Sequence, residues 1–261
     1  MIERTAETNR DLARSRLVDS RFGTVDWLSE TGSTNADLAS IAASGAHEQV
    51  LVADHQTAGR GRLDRRWEVP PGAGLLVSVL VWPSVAPEQL TLLTVAGGWA
   101  MVGAARALGA EEVTLAWPND VVVPAGDRYR KLAGVRSEAV NGPTGLGVVV
   151  GTGCNVDLPE GFSVVGGNEP VSLADLIGVA PDRLPLLAAY LRRLEELVVR
   201  LERGDARRVL DEVAAEMWTL GRDVEVEGVR GRATALDAVG RLVLQTADGR
   251  HVVDAGDVLP R

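Results

Sequence analysis

Residues 113–155 read VTLAWPNDVVVPAGDRYRKLAGVRSEAVNGPTGLGVVVGTGCN, and the order of apolar segments in this stretch decides the fold. Four β-type segments (Val113–Trp117, Val121–Val123, Leu132–Val140 and Leu146–Val150) follow one another with only glycine or polar breaks between them. Short apolar runs rich in valine and bounded by turn residues read as strands. No helical pattern intervenes, so consecutive strands must be joined by hairpins. Such a run excludes the regular strand–helix alternation of a doubly wound fold and predicts an α+β protein with a mixed sheet and flanking helices.

Upstream, Val25 and Trp27 alternate into a strand, and Glu30–Asn35 then opens a helix that Ser33 or Thr34 can cap, with Leu38 and Ile41 on its buried face. Val50–Ala53 is a short strand, and Pro70-Pro71-Gly72 breaks the chain before a buried strand at Leu75–Trp82. Leu92, Val95, Trp99 and Val102 recur at helical spacing and predict a core helix over 88–108. Downstream, 154–172 is a long irregular connection. Leu187, Leu191, Leu194, Val198 and Leu201 mark an amphipathic helix, and a second helix runs to about Trp218. From Gly221 onward short strands alternate with glycine turns, as in a small appended SH3-like β-barrel. The reading divides the chain into a lead-in at 1–22, a main domain at 23–218 and a small β-domain at 219–261.

The chain has 261 residues and a net charge of -9, which argues against a broad nucleic-acid surface. A single cysteine, Cys154, excludes an internal disulfide framework and fits a reducing compartment. Residues 1–20 mix acids with arginines and contain no apolar signal core, and no apolar run is read as long enough to span a bilayer. The expectation is a cytoplasmic protein that binds neither DNA nor membrane.

Against this acidic background, Gly59–Trp67 reads GRGRLDRRW and places Arg60, Arg62, Arg65 and Arg66 in one glycine-rich loop. Like charges repel, and guanidinium forks grip phosphate or carboxylate with paired hydrogen bonds, so the loop is a candidate anion site. A solvated hairpin turn is the plain alternative. In Trp117-Pro118-Asn119-Asp120, proline holds Trp117 extended and leaves Asn119 and Asp120 at a sheet end with free side chains. Arg130-Lys131 opens the next strand after a turn near Gly126, which brings Lys131 toward Asn119 and Asp120. Gly151-Thr152-Gly153-Cys154-Asn155 ends a buried strand with glycines that admit a ligand. Alone, each of these is as readily a turn or packing feature.

Together they resemble the biotin–protein ligases. The resemblance rests on Thr31–Asn35, Gln56 with Ala58–Arg62 and Trp67, Trp117–Asp120, Lys131–Gly134, Gly151–Asn155 and Ser172-Leu173, in family order over about 24–218. It implies a fold of the class II aminoacyl-tRNA synthetase and biotin ligase type, in the short form without a winged DNA-binding domain. It also implies ATP-dependent transfer of biotin to a lysine of a biotin carboxyl carrier protein through biotinyl-5'-adenylate, with Mg²⁺ accompanying ATP and no protein-bound metal site. By the same resemblance, Ser33, Thr34, Asn35, Gln56, Gly59, Arg60, Lys131 and Gly134 surround biotin. Arg60, Arg62, Arg65, Trp67, Asn119, Lys131 and Asn155 hold the nucleotide, with Trp67 stacked on adenine. Lys131 and Arg60 stabilise the adenylation step. Asp120 orients the incoming lysine, whose ordinary pKa of about 10.4 makes it arrive protonated. The arginine loop keeps water from the adenylate, so Arg60→Ala is expected to leak it.

The chain departs from the family pattern in three places. Ala116 stands where many members have lysine, and Arg65 or Arg128 are the substitutes the sequence offers. Arg136 replaces an apolar strand residue, and Cys154 an aliphatic one. Cys154 keeps open a lipoate or octanoate transferase of related fold, and Ala116 a catalytically weak biotin-binding protein. A nucleic-acid binder is disfavoured because no aromatic residues interleave with the arginines.

Overall fold

A computed structural model of the protein describes residues 4–62, 65–143, 145–164 and 167–260. Leu63 and Asp64 of the arginine loop and Met1–Glu3 of the lead-in lie outside the described residues. The main sheet has seven strands: β1 (Val25–Thr31), β2 (Gln49–Gln56), β3 (Gly74–Val81), β4 (Thr114–Ala116), β5 (Asp120–Ala125), β6 (Arg128–Gly142) and β7 (Gly145–Asn155). Their order is β1-β2-β3-β7-β6-β5-β4; β1 and β2 pair parallel and the remaining neighbours antiparallel. The four predicted segments of 113–155 are β4 to β7, joined as successive hairpins. The sheet is therefore mixed, as the absence of intervening helices predicts.

Helix α1 (Ala6–Arg16) lies against β1, and its Ala13, with Leu17 and Phe22 beyond it, enters the main core. Helix α2 (Thr34–Ala42) packs on one face of the sheet, where Leu38 and Ala42 meet Leu51, Leu80 and Val149. On the other face, α3 (Leu92–Ala107) crosses the sheet and packs on α5 (Arg183–Glu202). Close approach of α3 depends on Gly97 and Gly98: a Cβ at these positions would lie 2.9 Å from Val150 and 2.5 Å from Leu115. Residues 87–107 are long and apolar enough to cross a membrane, contrary to the sequence expectation. The segment is nevertheless a core helix, enclosed by the sheet and α5, and its apolar composition reflects burial on several sides. Short α4 (Leu173–Ile177), closed by a Ser172–Asp175 capping box, ends the 154–172 connection, and α6 (Ala206–Glu216) completes the helices.

Strands β8 (Asp223–Val226), β9 (Val229–Leu236), β10 (Leu242–Thr246), β11 (Gly249–Val253) and β12 (Val258–Pro260) form an antiparallel sheet in the order β11-β10-β9-β8-β12. This is the predicted small β-unit, although no ladder joins β11 to β12 among the described residues. It is fastened to the main sheet where Trp117 donates its indole N–H to the carbonyl of Gly240 at 2.9 Å.

Thr152 of β7 and Tyr190 of α5 share a hydrogen bond of 2.8 Å between hydroxyls in the core. Burial of a polar group is costly unless it is paired. Tyr190→Phe leaves Thr152 without its partner and is expected to lower unfolding free energy by about 1–2 kcal/mol in urea denaturation. An unchanged midpoint would show that this pair adds nothing to the core.

Candidate active site

A cavity of about 660 Å³ opens where the ends of β5, β6 and β7 meet the start of α2, the arginine loop, the 162–170 connection and the last strand of the small sheet. Ser33, Thr34, Asn35, Gln56, Arg60, Arg62, Arg65, Trp67, Asn119, Asp120, Lys131, Gly134 and Asn155 all line it. Of the residues that the resemblance assigns to biotin, nucleotide or catalysis, only Gly59 is not part of this lining; a Cβ there would be 2.4 Å from the Trp67 carbonyl.

One end of the cavity is a polar pocket set in apolar strands. Ser33 occupies the N-cap position of α2, but its hydroxyl makes no cap bond, and the Thr34 hydroxyl turns to Gln56 instead. The backbone N–H and the hydroxyl of Thr34 donate to Gln56 Oε1 at 2.8 and 3.0 Å. The Ser78 hydroxyl lies 2.7 Å from Thr34 Oγ1 and 2.6 Å from Asn35 Oδ1, with one proton for the two acceptors. Asn35 donates to Glu138 at 2.9 Å and to the carbonyl of Arg136 at 3.2 Å. The sequence reading missed Ser78, although it is the one polar residue in the eight-residue strand β3 and so carried a signal.

The middle of the cavity is cationic. Lys131 Nζ lies 2.7 Å from Asp120 Oδ1 and 5.6 Å from the centre of the Trp67 ring. The prediction that Asp120 and Lys131 converge holds, but neither Asp120 nor Asn119 has a free side chain. Asn119 is buried, donates to the Val135 carbonyl at 2.9 Å and accepts from Arg62 at 3.0 Å. The Asn155 side-chain amide donates to the carbonyls of Lys131 and Val171 at 3.2 and 3.1 Å, which fixes the backbone of Lys131 to the end of β7. Six cationic side chains line the cavity against three carboxylates, Glu68, Asp120 and Asp257, in a chain that is acidic overall. Burial lowers the pKa of Arg62, opposed by the charges of Asp120 and Asp257. A desolvated guanidinium of this kind favours an incoming anion. Arg60 is exposed, and its guanidinium has no partner among the described residues.

Beside the cations, Trp67 lies across the paired glycines of β6 and β7. Gly134 and Gly153 face each other in register, and a Cβ on Gly153 would sit 2.5 Å from the indole. The indole N–H is buried and has no partner among the described residues. Arg65 forms a two-bond ion pair with Asp257, and Gly256–Leu259 of the small sheet closes this end. Tyr129 also lines it, its hydroxyl accepting from Asn168 at 3.2 Å and its pKa pushed up chiefly by burial. The contribution of 162–170 and of the chain terminus comes from long-range packing and has no local sequence signal.

Ala116 is buried under Trp218 and Val122 and does not line the cavity, and Arg128, exposed at the β5–β6 turn, does not line it either. Arg65 does.

Residues 31–155 match the Biotin/lipoate A/B protein ligase family and residues 219–259 the Biotin protein ligase C terminal domain. The chain is 37% identical over 260 residues to the biotin–[acetyl-CoA-carboxylase] ligase of Mycobacterium tuberculosis, covering 94% of this chain and 93% of that protein. The chain belongs to the biotin protein ligase family. The corresponding enzyme of Paracoccus denitrificans is 31% identical, with 88% of this chain and 98% of that one covered. Among solved structures, the biotin protein ligase of Aquifex aeolicus in complex with biotin and ATP superposes with a TM-score of 0.78 at 26% identity, covering 92% of this chain and 99% of that one. The protein is thus a ligase, with the mixed sheet and C-terminal β-unit of its family.

Cys154 is fully buried behind the cavity wall, and burial pushes its thiol pKa up to about 12. A nucleophilic cysteine needs an accessible thiolate. This removes the observation that favoured a cysteine-dependent acyl transferase. Enclosed and held protonated by burial, the thiol is expected to react with Ellman's reagent at pH 8 only after denaturation. Rapid labelling of the folded protein would contradict the enclosed position.

Proposed function

We propose that this protein joins the carboxylate of biotin to one lysine of a biotin carboxyl carrier protein in two steps, with ATP cleaved to AMP and pyrophosphate. One observation carries the reading: a single cavity brings together the Thr34–Gln56–Ser78 pocket, the Lys131 and Arg62 cations and the Trp67 ring. Together they fit a neutral polar ring, a carboxylate meeting a phosphate, and a planar base.

In the polar pocket, Gln56 and Thr34 offer paired donors and acceptors within apolar walls, and the Ser78 proton leaves one acceptor open for a urea N–H. A carboxylate oxygen then attacks the α-phosphorus and pyrophosphate leaves. Two anions must meet, so the step depends on fixed positive charge, supplied by Lys131 and Arg62 with Arg60 and Arg65 beside them. Lys131 is held for this by Asn155 through its backbone and by Asp120 through its ammonium. Trp67, seated on Gly134 and Gly153, offers its other face to adenine.

The described residues contain no cluster of three or more metal-ligating side chains. That donor set fits Mg²⁺ arriving on ATP, which prefers phosphates, water and one or two carboxylates, here Asp120 or Asp257. The ion would neutralise phosphate charge during adenylation. In the second step, the ε-amine of the carrier lysine attacks the acyl carbon and AMP leaves. Asp120, released from Lys131 once the phosphate engages that cation, accepts the ammonium proton. The arginine loop forms the wall that keeps water from the adenylate. We assign catalysis to 23–218 and closure of the nucleotide end to 219–261, and place the reaction in the cytoplasm, in keeping with the free thiol of Cys154.

The test is biotin-dependent exchange of pyrophosphate into ATP, followed by transfer of labelled biotin to an apo carrier domain. Lys131→Ala is expected to lower exchange about 10²–10³-fold, the cost of removing one preorganised charge from a transition state. Asp120→Asn is expected to retain exchange and slow transfer about 10²-fold or more, as for loss of a general base. Exchange supported by octanoate as well as by biotin would overturn the assignment of substrate. Arg60→Ala is expected to release adenylate into solution faster; adenylate retained as long as in wild type would remove the loop from this role.

A further inference from the structure

Arg136, on β6, is the residue whose type departs from the family pattern at this strand, and it lines the cavity. Its Nη1 donates to the carbonyl of Gly61 at 2.5 Å, and its Nε to Glu138 Oε1 at 3.2 Å. Glu138 also accepts from Asn35 at 2.9 Å, so Arg136 joins the arginine loop to the polar pocket through one connected set of hydrogen bonds.

Besides the exposed Arg66–Glu68 pair at its base, four contacts attach the described part of the loop to the two sheets. Arg62 bonds Asn119, Arg65 pairs with Asp257, Trp67 rests on Gly134 and Gly153, and Gly61 accepts from Arg136. The first two engage guanidinium groups that a phosphate would draw away. The bond from Arg136 differs because its guanidinium belongs to β6, engages none of the loop's own cations, and is held a second time by Glu138. Trp67 secures the end of the loop, and Arg136 secures its beginning.

We propose that Arg136 is a positioning residue that fixes Gly59–Arg62 over the cavity both before and after the nucleotide binds, so that Arg60 and Arg62 are preorganised for the phosphate. The catalytic part of this inference rests on the ligase reading given above. Preorganised charge is worth more than charge that must be gathered at the moment of reaction. The long polar side chain thus has a function at a position where an apolar residue would leave the loop without this tie.

The test compares wild type with Arg136→Leu and Arg136→Lys in two measurements. In the first, the ligand-free protein is digested with limiting trypsin and cleavage after Arg60 and Arg62 is quantified. Arg136→Leu is expected to raise cleavage there about tenfold, the effect of losing one charge-assisted hydrogen bond, with the thermal midpoint unchanged. Arg136→Lys, which still carries a donor, restores much of the protection. In the second, dissociation of preformed biotinyl-adenylate is followed, and Arg136→Leu is expected to speed it by a similar factor. Wild-type cleavage rates in a folded Arg136→Leu protein would overturn the tether. Faster cleavage with unchanged adenylate dissociation would overturn its part in the reaction. The digestion needs no substrate, so it remains decisive even if pyrophosphate exchange fails in the wild type.

Discussion

The site depends on one contact, the indole of Trp67 lying on the paired glycines Gly134 and Gly153. A side chain at Gly153 would overlap the ring, so the two strands must be bare there for the loop to reach the sheet. With Trp67 seated, the backbone N–H of Trp67 reaches Gly59 and that of Gly61 reaches Arg65, which closes Gly59–Trp67 into a narrow hairpin. The hairpin then places Arg62 against Asn119, with Arg60, Arg65 and Arg66 exposed at the rim of the cavity. The same contact leaves the ring beside Lys131, so the aromatic platform and the central cation come from one packing event.

Arg62, Arg65 and Lys131 each have an internal acceptor, in Asn119, Asp257 and Asp120. The Arg65–Asp257 pair is about half exposed, and exposed ion pairs contribute about 0–1 kcal/mol. Charge-assisted bonds to phosphate are stronger and can be bidentate. Asp120, Asn119 and Asp257 therefore keep mutually repelling groups in place without competing seriously with ATP. The small sheet has a direct part in this arrangement, because Asp257 immediately precedes its strand β12 and because Trp117, two residues before Asn119, is bonded to Gly240.

Much of this was legible in the sequence, and the reason differs from feature to feature. The strands of 113–155 announce themselves because a buried strand must be apolar and its turns must be glycine or polar. Residues clustered at strand ends, such as Asn119 and Lys131, were legible because a hairpin brings the ends of its strands together. Partnerships between distant elements were not. Nothing near Asp257 indicates that it will meet Arg65, and nothing near Arg136 indicates that its guanidinium ends on Gly61. Side chains at Asn119 and Asp120 were read as free because a turn motif does not reveal what the rest of the fold sets against it. The apolar character of 87–107 was underestimated because small residues, among them the glycines that let α3 approach the sheet, dilute an otherwise continuous apolar surface.

Ala116 bears on how much charge the adenylation step has. A lysine at this position would start beneath Trp218 and Val122, where Tyr129 also packs, and would have to extend past them to reach the cavity. The guanidinium of Arg222 already lies over the other side of Trp218, 4.3 Å from its ring. The small side chain lets Trp218 close this layer, and Tyr129 meets it edge-on at 4.7 Å. Packing is therefore gained where a charge is lost. On the ligase reading, positive charge meets the substrate from the loop and from β6: Arg62 is partly desolvated, Arg65 stands beside it, and Arg136 holds the loop without drawing on either. A cavity with six cations lining it has not lost its means of bringing two anions together. The arginine loop keeps its charge where residue 116 gives none, and on that reading the attachment of the loop carries more weight in this protein than the residue at 116.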